Sequence, residues 1–181
     1  MAAALVTGAN RGIGLEICKQ LHAKGLNVYG ACRSTSPALD ALSLRGGVIE
    51  GIDVASDSVG DALRSAVGDI AIDVLICNAG VLTVEGLSDL ASADKAAEAL
   101  AGMRRQFEVN SLGPIKIAAA LAGNLVDGRS KVAITSSAMG SIAENGSGGM
   151  YGYRMSKAAV NIGGVSLARD LAPRNICVQV S

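Results

Sequence analysis

The stretch that most constrains this chain is Thr7-Gly8-Ala9-Asn10-Arg11-Gly12-Ile13-Gly14, close to the N-terminus. Residues 2–6 before it are apolar and read as a buried strand. After it, Ile13, Ile17 and Leu21 fall on one helical face and Gly25 supplies a stop. A strand that turns through glycines directly into a helix lays backbone N–H groups and the positive helix end beneath a diphosphate. Gly8 can take a conformation closed to other residues, Gly12 lets phosphates come near, and Gly14 lets helix and strand pack tightly. The spacing G-x-x-x-G-x-G differs from the commoner G-x-G-x-x-G, and a glycine-rich turn without a ligand has the same local sequence.

What surrounds the loop must therefore decide. The 181 residues suit one domain with a sizeable core. Half of them are hydrophobic, mostly Ala, Val, Leu and Ile, as buried parallel strands under small-residue helices require. Sixteen basic and sixteen acidic residues cancel, so nothing electrostatic favours nucleic acid or an anionic membrane. Residues 112–126 form the most apolar stretch, but Lys116 and Asn124 interrupt it, so no membrane span is expected. A first strand starting almost at Met1 leaves no room for a signal or transit peptide, and the cytoplasm is the expected compartment. Cys18, Cys32, Cys77 and Cys177 form no C-x-x-C pair, which reads as reduced thiols and no metal site. With His22 the only histidine and no G-x-S-x-G, a Ser-His-Asp hydrolase is excluded.

Along the chain, apolar strands alternate with helical patterns, which predicts a doubly wound parallel sheet in one domain spanning residues 1–181. Residues 26–32 read as the second strand, followed at once by Arg33. An acid there would accept the ribose hydroxyls of NAD, whereas arginine suits a 2′-phosphate. Arg11 can reach the same phosphate, and guanidinium groups bind phosphate through paired donors. NADP(H) is thus the preferred cofactor and NAD(H) the lesser one; a solvated arginine beyond a strand end is the plain alternative. Ser36-Pro37 starts a short helix over residues 38–44. Residues 47–52 form a third strand ending in Asp53-Val54, a position also common for caps and turns. Val59, Leu63 and Val67 mark the returning helix. Residues 70–77 are a central strand ending in Asn78-Ala79-Gly80. Residues 88–100 read as a solvated helix, and residues 103–126 as a long helix kinked by Pro114 near Asn110. A fifth strand over residues 131–136 carries Ser137 beyond its C-terminal end, where open α/β sheets place ligands. A glycine-rich loop leads to Tyr153-Arg154-Met155-Ser156-Lys157, which opens a helix, and a last strand starts at Ile176.

Tyr153 and Lys157 lie one turn apart on one helix face, about 6 Å along the axis. A phenol with a reference pKa of about 10 is a poor acid or base at neutral pH. A neighbouring ammonium favours the phenolate, which is what proton transfer to or from a carbinol oxygen needs. Ser137 would hold the same oxygen by a hydrogen bond. Each residue alone has an ordinary surface alternative; the ordered set does not.

Taken together, T-G-x-x-x-G-x-G, N-A-G, the V-N of residues 109–110, Ser137 and Y-x-x-x-K resemble the short-chain dehydrogenase/reductase family over nearly the whole chain. The inserted N-G-S-G-G-M-Y-G further resembles its C-factor, carbonyl-reductase-like branch. This resemblance implies Thr7, Gly8, Asn10, Arg11, Gly12, Ile13, Gly14, Arg33, Asp53, Val54, Asn78, Ala79 and Gly80, with Tyr153 and Lys157, as cofactor-binding residues. Asp53 would meet the adenine amino group, and N-A-G would brace the sheet beside the adenosine. Asn110, Ser137, Tyr153 and Lys157 would be catalytic, with Asn110 fixing a water beside Lys157. The implied activity is NADP(H)-dependent interconversion of a small-molecule carbonyl and a secondary alcohol, and the alternative is a cofactor-binding signalling protein with little turnover. A homodimer or homotetramer joined through the two long helices is also implied. The family continues past its sixth strand with a P-G segment, a substrate loop and a seventh strand, so this domain is expected to lack them after Ser181.

Overall fold

In a computed structural model describing residues 1–181, six parallel strands lie in the order β3-β2-β1-β4-β5-β6. They are β1 (Ala3–Thr7), β2 (Asn27–Ala31), β3 (Gly47–Ile49), β4 (Val74–Cys77), β5 (Lys131–Ile134) and β6 (Cys177–Val180). Register pairs Leu5 with both Tyr29 and Leu75, so β1 is central and its neighbours depart to opposite sides. That reversal opens a crevice at the carboxyl ends of β1 and β4, where sheets of this kind receive ligands.

Alternation along β1 assigns its two faces. Leu5 joins the larger core with Leu75, Val132 and Ile134, covered by α3 (Val59–Val67), α6 (Gly113–Ala120) and α7 (Tyr151–Leu171). Val6 joins a smaller core with Val28, Cys18 of α1 (Gly12–Ala23) and Leu39 of α2 (Pro37–Asp40). Val59, Leu63 and Val67 are all buried, as their four-residue repeat demands. Ser36 caps α2 by accepting the Leu39 N–H at 3.2 Å, with Pro37 in the first helical position. All four cysteines are free, and burial pushes the Cys18 and Cys77 thiols up to about 12.

The helical region between β4 and β5 departs from the expected pattern. Residues 88–100 do not form one helix: α4 (Leu87–Ala91) stops, and α5 (Ala96–Phe107) begins after a break. The long helix expected over residues 103–126 is likewise divided. A π-helical turn at Glu108–Leu112 separates α5 from α6, and a 3₁₀ turn at Ala122–Asn124 follows. Pro114 lies two residues past the π turn in backbone that stays helical from α5 into α6, so its missing N–H leaves a carbonyl of that turn without a helical donor. The irregularity therefore falls before the proline, with Asn110 inside it. No helix is long and apolar enough to cross a membrane.

Candidate functional site

The glycine loop is shaped by backbone contacts. Gly8 has φ 68°, and a methyl group there would meet the Ala79 Cα at 2.9 Å. A side chain on Gly14 would run into the Gly8 carbonyl, so helix α1 rests directly on the loop. Thr7 is buried, and its Oγ1 accepts the N–H groups of Asn78 (3.1 Å) and Ala79 (3.2 Å). Asn78 Nδ2 donates back to the Thr7 carbonyl at 3.1 Å. Thr7 and Gly14 thus form the support beneath the crevice, while Gly8, Asn10, Arg11, Gly12 and Ile13 line it. Asn10 ties the loop to the end of β2, donating to the Ser34 carbonyl (2.9 Å) and accepting the Ser36 hydroxyl on its own carbonyl (2.7 Å).

From this loop a cleft of about 400 Å³ runs across the ends of β1 and β4. Arg11 and Arg33 stand exposed at one end, and neither is in an ion pair. The sequence shows no acid directly after β2, but the fold brings Glu50 from beyond β3 to the Thr35 N–H at 3.0 Å. Asp53, Val54, Asn78, Ala79 and Gly80 line the middle. Burial works to raise the Asp53 carboxyl, but the Ala55 N–H and the Arg105 and Arg33 guanidinium groups outweigh it and hold the group below its ordinary value. Arg105 donates to both Asp53 oxygens at 3.1 Å. Arg105 was not legible as a site residue, because nothing local marks which arginine of helix α5 crosses to β3.

Thr135, Ser136, Tyr153 and Lys157 line the far end. Lys157 is 4% exposed; its Nζ lies 5.7 Å from the Tyr153 ring centroid and donates to the Thr135 carbonyl at 2.7 Å. Burial holds the Lys157 ammonium below its ordinary 10.5. Ser137 heads a 3₁₀ turn, Ala138–Gly140, and its Oγ accepts the Met139 N–H at 3.2 Å. A methyl group on Gly140 would stand 2.8 Å from the Lys157 carbonyl carbon, so this turn lies flat on α7 at the lysine. Ser137 follows the cleft wall; the residue in the wall is Ser136, whose hydroxyl donates to Asn161, one turn beyond Lys157. Asn161 had no sequence signal beyond its place on the helix.

Asn110 is 1% exposed and its side chain is committed to the protein. Its Oδ1 accepts the Val81 N–H (2.9 Å), while Nδ2 donates to the Val81 carbonyl (2.8 Å) and the Ser156 Oγ (3.0 Å). Ser111 adds a bond to the Ser156 carbonyl at 2.8 Å. The π turn thereby clamps the loop after β4 against α7. The expected water-fixing part is not one its side chain is free to play alone.

The donor set fits a phosphorylated dinucleotide. Two unpaired guanidinium groups and the loop N–H groups suit phosphates, and Asp53 offers acceptor oxygens midway. The phenol and ammonium line the same cleft as these donors.

A family model described as short chain dehydrogenase matches residues 2–181. The chain is 36% identical over 180 residues to 1-hydroxy-2-glutathionyl-2-methyl-3-butene dehydrogenase of Rhodococcus sp. strain AD45, covering 98% of this chain and 75% of that relative. It is 43% identical over 104 residues to C-signal of Myxococcus xanthus, covering 56% of this chain and 58% of that protein. A carbonyl reductase from Pseudomonas aeruginosa PAO1, solved in complex with NADP, superposes with a TM-score of 0.79 at 30% identity, covering 99% and 81% of the two chains.

Proposed function

The chain belongs to the short-chain dehydrogenase family, and on that premise we propose that it is an NADP(H)-dependent oxidoreductase interconverting a carbonyl and a secondary alcohol. The observation that carries this reading is the single cleft shared by the glycine loop, Arg11 and Arg33 at one end and Tyr153 with Lys157 at the other. The cofactor supplies hydride exchange at the substrate carbon. The chain supplies the rest. In the reducing direction the Tyr153 hydroxyl gives its proton to the substrate oxygen as that oxygen gains charge. Lys157, one helical turn away, stabilises the phenolate left behind. Ser137, next in the chain to the wall residue Ser136, is assigned to hold the same oxygen through its hydroxyl. In oxidation each transfer runs backwards.

Consumption of NADPH with a panel of ketones and aldehydes tests the reading. Tyr153→Phe should lower turnover about 10²–10⁴-fold and leave NADPH binding intact; undiminished turnover would remove Tyr153 from the mechanism. The likeness to C-signal favours a second reading, a cofactor-binding signalling protein with little turnover. Saturable NADPH binding without oxidation by any carbonyl would support it. We also propose that the protein is a homodimer or homotetramer joined through α5 and α7.

A further inference from the structure

The helix that carries Tyr153 begins without a cap of its own. Tyr151 follows Met150, whose backbone is left-handed (φ 49°) and whose side chain caps nothing. The first N–H groups of an α-helix have no intrahelical acceptor, and Tyr153 stands in that first turn. The acceptor comes from Glu85, 67 positions upstream in the loop after β4, whose Oε1 takes the Gly152 N–H. The Glu85 main-chain carbonyl takes the Met150 N–H at 2.9 Å. Its Oε2 receives Gln106 Nε2 and Thr83 Oγ1, both at 3.4 Å. Gln106, fully buried on α5, closes the cluster by donating to Thr83 Oγ1 at 2.7 Å and accepting the Thr83 N–H at 3.2 Å. Nothing loosens the seat: a methyl group on Gly152 would stand 2.5 Å from Gln106 Nε2 and 2.8 Å from the Met103 Cα.

Glu85 is 3% exposed, and no step described above uses it. A carboxylate is held in such a place only when its oxygens are matched by donors, as these are. The same loop is clamped at Val81 by Asn110. It is therefore fixed at both ends, to the π turn at one and to the start of α7 at the other. We infer that Glu85 is a positioning residue: its contact with Gly152 sets the first turn of α7 and aims the Tyr153 hydroxyl into the cleft. The inference rests on the proposed role of Tyr153.

Hydrogen exchange and steady-state kinetics on the full chain, with Glu85→Ala, Glu85→Gln and Glu85→Asp, separate the two. In Glu85→Ala, amide exchange at Gly152 and Tyr153 should rise about tenfold or more, while residues 160–171 keep their protection. The kcat for a reducible ketone should fall about tenfold or more, with KM and NADPH affinity unchanged. Glu85→Gln retains an acceptor for Gly152 and should recover most of both. Unchanged exchange at Gly152 in Glu85→Ala overturns the inference, as does faster exchange with intact kcat. Parallel loss of NADPH binding and of protection throughout α7 also overturns it, since that marks a general support of the fold. Should Glu85→Ala fail to fold, Glu85→Asp, one methylene short of Gly152, is judged by the same readings. A wild-type protein that reduces no carbonyl refutes the proposed activity, and the exchange readings then decide the contact by themselves.

Discussion

Arg33 and Lys157 are the two cations whose settings say most about the cleft. Arg33 stands exposed at the end of β2 with no carboxylate of its own, yet Glu50 lies close by, bound to the Thr35 N–H. A guanidinium facing a 2′-phosphate contributes about 1.5–3 kcal/mol through charge-assisted hydrogen bonds. Arg33→Ala should therefore weaken NADPH roughly 10- to 150-fold while leaving NADH nearly untouched, measured by nicotinamide fluorescence titration. Equal losses for both would mean that Arg33 only shapes the loop. Lys157 differs because it is nearly closed off from water, and burial holds its folded value below 10.5. Between the folded and unfolded values the unfolded chain binds more protons, so stability rises with pH in that window; below it, the cost of burying the ammonium is constant. Lys157→Met carries no such proton. The stability of the wild type relative to this variant should climb as pH rises towards 10.5, followed by thermal melts at successive pH values. A difference that stays flat would show that burial does not oppose the charge.

At the scale of elements, what was legible depended on whether the cause was local. The loop from Thr7 to Gly14 could be read because Gly8 needs its left-handed φ and Gly14 needs its empty Cβ. The strands could be read because each is a short apolar run, and α3 because Val59, Leu63 and Val67 keep one face. The pairing of Tyr153 with Lys157 followed from helical periodicity alone. The break in the long helix near Asn110 was legible from Pro114, but its π-helical form at Glu108–Leu112 was not, because a π turn is set by what the extra residue reaches, here Val81 and Ser156 for Asn110. Ser92–Lys95 broke the next pattern for a similar reason, because Asp89 turns back to the Gly86 N–H and binds Lys95. Glu85, Arg105 and Asn161 were invisible because each acts on a partner far along the chain. Their local sequence has no periodic or motif signature.

At the scale of the molecule, the same helix that presents Lys157 inward presents an apolar stripe outward. Ser156, Lys157, Val160 and Gly164 of α7 are buried, whereas Met155, Ile162 and Val165 are 56%, 65% and 52% exposed. Beside it, Phe107 at the end of α5 and Leu112 in the π turn are also exposed. Residues 155, 162 and 165 share one face at helical spacing, and α5 packs alongside α7, so the two helices offer one continuous surface. Single exposed apolar residues need no explanation, but several on one face are what the proposed pairing of subunits would cover. A two-fold contact would set α5 and α7 against the same helices of a second copy, burying the stripe on both sides at once. Ile162 lies near the middle of the stripe and faces away from the cleft. Replacing it with aspartate would bring an unpaired carboxylate into each half of such an interface, at a cost that one pair of helices could not offset. Sedimentation velocity at micromolar concentration should show the wild type as a dimer or tetramer and Ile162→Asp as monomer, with NADPH binding retained in both. A monomeric wild type, or a variant that still associates, would place the contact elsewhere.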